Sequence, residues 1–311
     1  MPEPVMSKFA IEMPTVDGTY FLDIAQIASI CNRKFYRQGM NWAVGNIEIF
    51  SDGDTSCVIS KLPSTWIMAN SWVKSLAAWK TQQNEVLDEE PSIKAKYNDF
   101  KIFYDSDHEQ LGFGSNLLPY GFSGAFGLDD AYDWDHTNIE IPTDGGALPP
   151  VRFNLHAIGG PTASSKGLIH GYALSRARPQ QEDPNVPIYG GWLQSISDVA
   201  EVDPYIRQNV IHENDSPPYP VAAADGANQN QNFYPGGINQ APTYSSFIQD
   251  VLVTRTSTSL TADNSGPFLA PCGLLRFDLT VQDTPDEIIM FLELVPGPVK
   301  GFMAQPMQEM N

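Results

Sequence analysis

Prolines and glycines, 25 and 24 of 311 residues, punctuate the chain in short clusters from end to end. Proline fixes φ and removes a backbone donor, and glycine opens left-handed conformations, so each cluster tends to end a regular element. A chain interrupted this often favours short strands joined by turns over a few long helices. Nine segments carry the period-2 or short apolar signature of strands: residues 19–30, 42–50, 56–61, 97–104, 151–158, 168–175, 247–254, 274–281 and 288–295. Strands of this number, irregularly connected, predict an all-β sandwich or barrel.

One stretch has helical spacing instead. Trp72, Leu76 and Trp79 recur at i, i+4 and i+7, with Trp66, Ala69 and Val73 beside them. Ser64 is the N-cap candidate, and the spacing predicts a helix over 65–87 that stops at the acidic run before Pro91. Such an indole stripe either packs against a sheet or, if exposed, forms a carbohydrate platform. Weaker helical patterns cover 191–200 and 204–211. Long polar connections at 111–150, 179–190 and 213–242 imply loops with work at a surface. Composition never shifts sharply enough to separate two domains, so residues 19–311 read as one elaborated domain after a non-basic segment, 1–18.

The charge balance narrows the partners. Lys plus Arg number 18 against 37 Asp plus Glu, a formal charge of −19. A surface made wholly to grip nucleic acid or an anionic membrane needs clustered bases, and this chain cannot supply one everywhere. Acidity is uneven: residues 1–110 hold 10 bases and 15 acids, residues 111–311 hold 8 and 22. No stretch approaches the roughly 18 apolar residues of a membrane span.

Catalytic and metal signatures are missing. The histidines, His108, His136, His156, His170 and His212, fall in no HxxxH or HExxH spacing. Cys31, Cys57 and Cys272 are odd in number and far apart, which predicts buried free thiols. Acidic clusters at Asp105, Asp107, His108, Glu109 and at Asp129, Asp130, Asp133, Asp135, His136 have the hard oxygens that Ca2+ prefers, and solvated acidic loops read the same way. Neither matches an EF-hand, nor does Asp52–Gly53–Asp54. GxSxG, SxxK, phosphate-loop and dinucleotide fingerprints do not occur. A glycosidase needs only two carboxylates placed by the fold, so a surface β-sandwich that binds or cleaves glycans is the alternative from another class.

The densest basic site is Arg33, Lys34 and Arg37, interleaved with Phe35 and Tyr36. Three cations in five residues, with Tyr36 as a ring to stack on a base, suit weak, sequence-independent contact with single-stranded nucleic acid. The competing reading pairs them with some of the acids, here or on a neighbouring subunit. Lys94, Lys96 and Lys101 alternate with apolar residues and read as a solvated strand face.

Several segments in order resemble the capsid proteins of small circular single-stranded DNA viruses, chiefly lineages known from environmental sequencing. They are NRKFYRQGMNWAV (32–44), KLPSTW (61–66), NSWVK (70–74), YNDFKI (97–102), NLLP (116–119), PPYP (217–220), YPGGINQ (234–240), PCGLLR (271–276) and LVPGPVKGF (294–302) followed by PMQEM. The resemblance implies a single jelly roll, two facing antiparallel sheets with long outer loops and one or two inserted helices. It also implies self-assembly into an icosahedral shell in the virion, no catalytic residue, no cofactor beyond Ca2+ at subunit contacts, and a genome faced by Arg33, Lys34, Tyr36 and Arg37. Proteins of this group often begin with a basic arm, whereas Lys8 is the only base in residues 1–30 here.

Overall fold

The computed structural model describes residues 5–89, 92, 99–120, 134–141, 151–175, 245–253, 262–282 and 285–310. The chain divides into two compact units, Met1–Tyr172 with Pro242–Asn311, and Ala173–Ala241. The second lies outside the described residues beyond 175, as do the helices expected at 191–200 and 204–211 and the loops at 179–190 and 213–242.

The first unit begins with β1 (Lys8–Met13), β2 (Gly18–Asp23), helix α1 (Ile24–Asn32), β3 (Met40–Ser51), β4 (Thr55–Lys61) and helix α2 (Trp66–Glu89). Next come α3 (Ser106–Leu111), β5 (Asn138–Ile141), β6 (Val151–His156), β7 (Ser165–Gly167) and α4 (Leu168–Ser175). The chain returns through β8 (Ser246–Val253), β9 (Ala262–Asn264), β10 (Phe268–Ala270), β11 (Leu274–Val281) and β12 (Ile288–Leu294). It closes with β13 (Pro296–Gly297), β14 (Gly301–Phe302) and β15 (Ala304–Pro306).

Two antiparallel sheets face each other. One has the order β1-β12-β3-β10, the other β2-β11-β4-β8. β9 lies along β3 on the side of β10, since Glu48 pairs with Asn264 on that edge and with Phe291 of β12 on the other. β15 continues the lane of β12, because Trp42 takes Ala304 and Ala270 on opposite edges. The sandwich therefore has eight lanes, and successive lanes lie in opposite sheets at every step except β4 to β8, which are neighbours. Everything between Leu62 and 245 is one insertion at that step.

Alternation explains the strands. In β11, Leu275, Phe277 and Leu279 face the core while Arg276 and Asp278 face out; in β12, Ile288, Met290, Leu292 and Leu294 face in. Each such side chain contributes roughly 1.5–3 kcal/mol through burial. These join Phe9, Ile11, Trp42, Ile49 and Ile59 in one cluster between the sheets.

Three strand expectations are corrected. Residues 19–30 split at Asp23, whose carboxylate accepts from the Ala25 and Gln26 N–H groups (2.9 and 3.4 Å) and so caps α1. Residues 168–175 form helix α4, as a short apolar run carries no period to separate the two states. Residues 99–104 of the run 97–104 form no strand beyond a single bridge from Phe103 to His156. Within the segment before residue 19, β1 pairs along its whole length with β12.

Helix α2 matches the expected span, but Thr65 takes the cap: its Oγ1 accepts the Met68 N–H (3.4 Å), while Ser64 Oγ accepts from Lys61 Nζ. Trp72 and Trp79 are buried around Phe100 (5.8 and 5.7 Å between ring centroids), and Trp66 is 38% exposed. A glycan groove lined by all three indoles is thus not present. Gly39 lies so close to the Trp72 ring that a Cβ there would collide with it. No helix among the described residues is long and apolar enough to cross a membrane.

The insertion is fastened to the sandwich by a buried polar chain. His108 Nδ1 accepts the Tyr104 N–H (3.0 Å), which leaves Nε2–H to donate to Asn116 Oδ1 (2.7 Å); Asn116 Nδ2 donates to Gln26 Oε1 (2.8 Å). The His108 ring stacks on Phe21 at 4.4 Å. Just beyond, the Leu117 N–H donates to Phe21 O and the Tyr120 N–H to Ala10 O, so one segment covers edge strands of both sheets.

Two buried groups in this region titrate with opposite consequences. Burial holds the His108 imidazole down to about 4, and burial pushes the Asp23 carboxyl up to about 6 against the N–H donors around it. In the unfolded chain these groups titrate near 6.5 and 3.9. As pH falls from about 6.5 to about 4, the unfolded chain protonates His108 first, which withdraws stability. Over about 6 to about 4 the native chain protonates Asp23 first, which adds stability, each effect reaching roughly 3 kcal/mol. Urea unfolding between pH 4 and 7 is expected to show the stability difference between wild type and His108→Gln shrinking on acidification, and that between wild type and Asp23→Asn growing. The same sign of drift in both pairs would contradict this assignment.

Candidate nucleic-acid interface

The basic segment leaves the end of α1 in a left-handed turn. Arg33, the C-cap, has φ 51° and ψ 35°, a conformation that glycine usually supplies at this position. The following residues alternate: Phe35 and Arg37 are exposed, Tyr36 and Gln38 are buried. The partners of the inward pair fix the phase of that alternation.

Tyr36, expected to stack on a base, belongs to the core at 3% exposure. Its N–H donates to Ser29 Oγ (3.0 Å), its hydroxyl donates to Lys300 O (2.9 Å), and its ring meets Phe302 and Trp42 at 5.4 and 5.8 Å. Burial pushes its phenol up, with the charge of Lys34 acting the other way. Gln38 locks the segment from below. Its amide pairs with both backbone groups of Ile102 (3.0 and 2.7 Å) and donates to Asp23 Oδ2 (3.1 Å), to which Trp134 Nε1 also donates (3.0 Å).

Phe35 takes the outward place, 48% exposed. Its ring edges against Trp134 at 6.5 Å, and the Arg37 guanidinium sits 5.9 Å from its centroid. Lys300, carried on the turn between β13 and β14, donates from Nζ to the Phe35 carbonyl (2.7 Å). Lys300 also has positive φ, 49°. Arg33 and Arg37 are thus exposed and Lys34 half-buried, Phe35 rather than Tyr36 is the exposed ring, and Lys300 reaches the same segment. No sequence signal links Lys300 to residues 33–37.

Among the described residues, ion pairs engage Lys8, Lys101, Arg152 and Arg276, and none engages Arg33, Arg37 or Lys300. Lys101 is a correction: it is buried, paired with Asp99, with Nζ 4.4 Å from the centre of the Trp134 ring, because the strand expected there does not form. Lys94 and Lys96 lie outside the described residues.

Several described acids of these clusters, and Asp52, make contacts within the protein. Asp105 caps α3 through the His108 N–H and, with Asp107, accepts from Arg276 Nη1 (2.6 and 3.1 Å). Asp52 accepts the Asp286 and Glu287 N–H groups. Asp129, Asp130 and Asp133 lie outside the described residues, and among those described no group of three or more His, Cys, Asp or Glu is placed to hold a metal ion. The cysteines are free, and burial pushes the Cys31 thiol up to about 11, the Cys57 thiol up to about 12 and the Cys272 thiol further. Thiolate, the reactive form, is therefore scarce at neutral pH. No protein-family profile, curated protein or solved structure matches the chain.

Proposed function

We propose that this chain is the major capsid protein of a small single-stranded DNA virus, a non-enzymatic jelly roll that assembles with copies of itself into an icosahedral shell. The observation that carries this reading is the lane order. Two four-lane antiparallel sheets, crossed at every step but one, are what two Greek keys folded into a double-sheet jelly roll produce, an architecture viral capsids share with lectins and cupins. Three of the segments behind the capsid resemblance meet at one end of the sandwich: Tyr36 and Trp42 from 32–44, Gly273 from 271–276, and Phe302 from 294–302. A patch of cations there, in a chain so rich in acids, gives the enclosed strand a place to lie.

Closed shells are built from repeated symmetric contacts, so assembly must appear as a discrete species rather than a continuum. Sedimentation velocity of the purified full chain, over a range of salt, pH and Ca2+, is expected to show a fast boundary of one size separate from a subunit boundary. A single slow subunit boundary in every condition would reject the shell.

A further inference from the structure

We propose that the patch binds unpaired nucleobases, with Phe35 as the stacking surface and Arg33, Arg37 and Lys300 as the phosphate contacts. The identity of the strand as single-stranded DNA rests on the capsid reading; the selectivity for unpaired bases rests on the patch alone. Phe35 is half exposed yet held at several points. Tyr36, buried beside it, sets its direction, Lys300 Nζ grips its carbonyl, and Trp134 supports one ring edge. A ring fixed this way offers a face to a base at little entropic cost, and such stacking is worth about 1–3 kcal/mol per base whatever the sequence. Duplex DNA presents phosphates but hides its base faces, so a cationic patch centred on an open ring favours single strands.

Backbone strain marks the same residues. Among the described residues, the non-glycine residues with positive φ are Arg33, Cys272 and Lys300, and two of these are the cations that flank Phe35. Glycine would relax both positions, so a long basic side chain held there in spite of the strain points to use of the side chain.

Fluorescence anisotropy of the full chain is the test, with three labelled 20-nucleotide probes: oligothymidine, an abasic strand with the same number of phosphates, and a duplex. Oligothymidine is expected to bind about tenfold more tightly than the abasic strand. Phe35→Leu is expected to remove that preference and leave abasic binding unchanged, while Phe35→Trp keeps it. Arg33→Gly with Arg37→Ala and Lys300→Gly is expected to weaken all probes and lower the salt dependence by about 2 log units per log unit for single strands. Arg33→Gly alone is expected to raise the melting temperature while weakening binding, a split that a purely structural role would not give. Equal binding of thymidine and abasic strands by wild type, or unchanged thymidine binding by Phe35→Leu, overturns base stacking. Unchanged binding by the triple variant overturns the patch itself. The shell is judged separately, by the sedimentation of wild-type particles.

Discussion

Replacing Asp23 by Ala is expected to lower the free energy of unfolding by about 3–5 kcal/mol, from the cost of leaving buried donors unpaired. The carboxylate is fully buried and accepts from the N–H groups of Ala25 and Gln26, from the Gln38 amide and from the Trp134 indole. Truncation strips the cap from α1, removes one of the three hydrogen bonds that hold the Gln38 amide below residues 33–37, and leaves the Trp134 indole N–H beside Phe35 without its acceptor. One substitution thus acts at the end of a helix, at the root of the basic segment and at the support of the exposed ring. Asp23→Asn keeps the cap acceptor and is expected to cost about 1–2 kcal/mol at neutral pH. Urea unfolding measures both; an Ala variant within about 1 kcal/mol of wild type would show that the network carries no such weight.

Arg276→Met is expected to cost about 2–4 kcal/mol, somewhat below the figure for a fully buried charge that loses its partner. The Arg276 side chain is 23% exposed and binds Asp105 and Asp107 of the insertion with Nη1 and Asp278 of its own strand with Nε. Without it, three carboxylates crowd the outer face of the second sheet, and the insertion loses its ionic tie to the sandwich. The deficit is expected to shrink as pH falls through the carboxylate range, because protonation removes the repulsion. Adding Asp105→Asn and Asp107→Asn to Arg276→Met is expected to restore part of the loss at pH 7. Denaturant midpoints at pH 7 and pH 4 decide it, and a deficit that grows toward acid would count against the assignment.

What could be read from the sequence follows from how local each cause is. The strands β4, β8, β11 and β12 begin and end within a residue of their expected positions, since an apolar side chain recurs at every second place between turn residues. The helix α2 was equally legible through Trp72, Leu76 and Trp79. The strand β1 alternates just as clearly, Phe9, Ile11 and Met13, but the prolines at 2, 4 and 14 disguise it as loop. At Asp23 one apolar run passes from strand to helix, and only the donors brought to its carboxylate mark the change. The pairing of β1 with β12, nearly the full length of the chain apart, leaves no trace in local pattern.

The site divides in the same way. Its cations stand out because Arg33, Lys34 and Arg37 are adjacent in the chain. Which ring of Phe35 and Tyr36 faces solvent was decided by Phe302 and Trp42, and Lys300 arrives from the far end of the chain. The count of bases and acids therefore misleads when taken over the whole chain: among the described residues of this strongly acidic protein, no carboxylate pairs with Arg33, Arg37 or Lys300.

Assembly into a closed shell is the central claim, and electron microscopy of the purified full chain tests it most directly. The capsid reading proposed above predicts isometric particles of one diameter, whose shell repeats the sandwich by icosahedral symmetry. Isolated subunits or irregular aggregates in every combination of salt, pH and Ca2+ would contradict it.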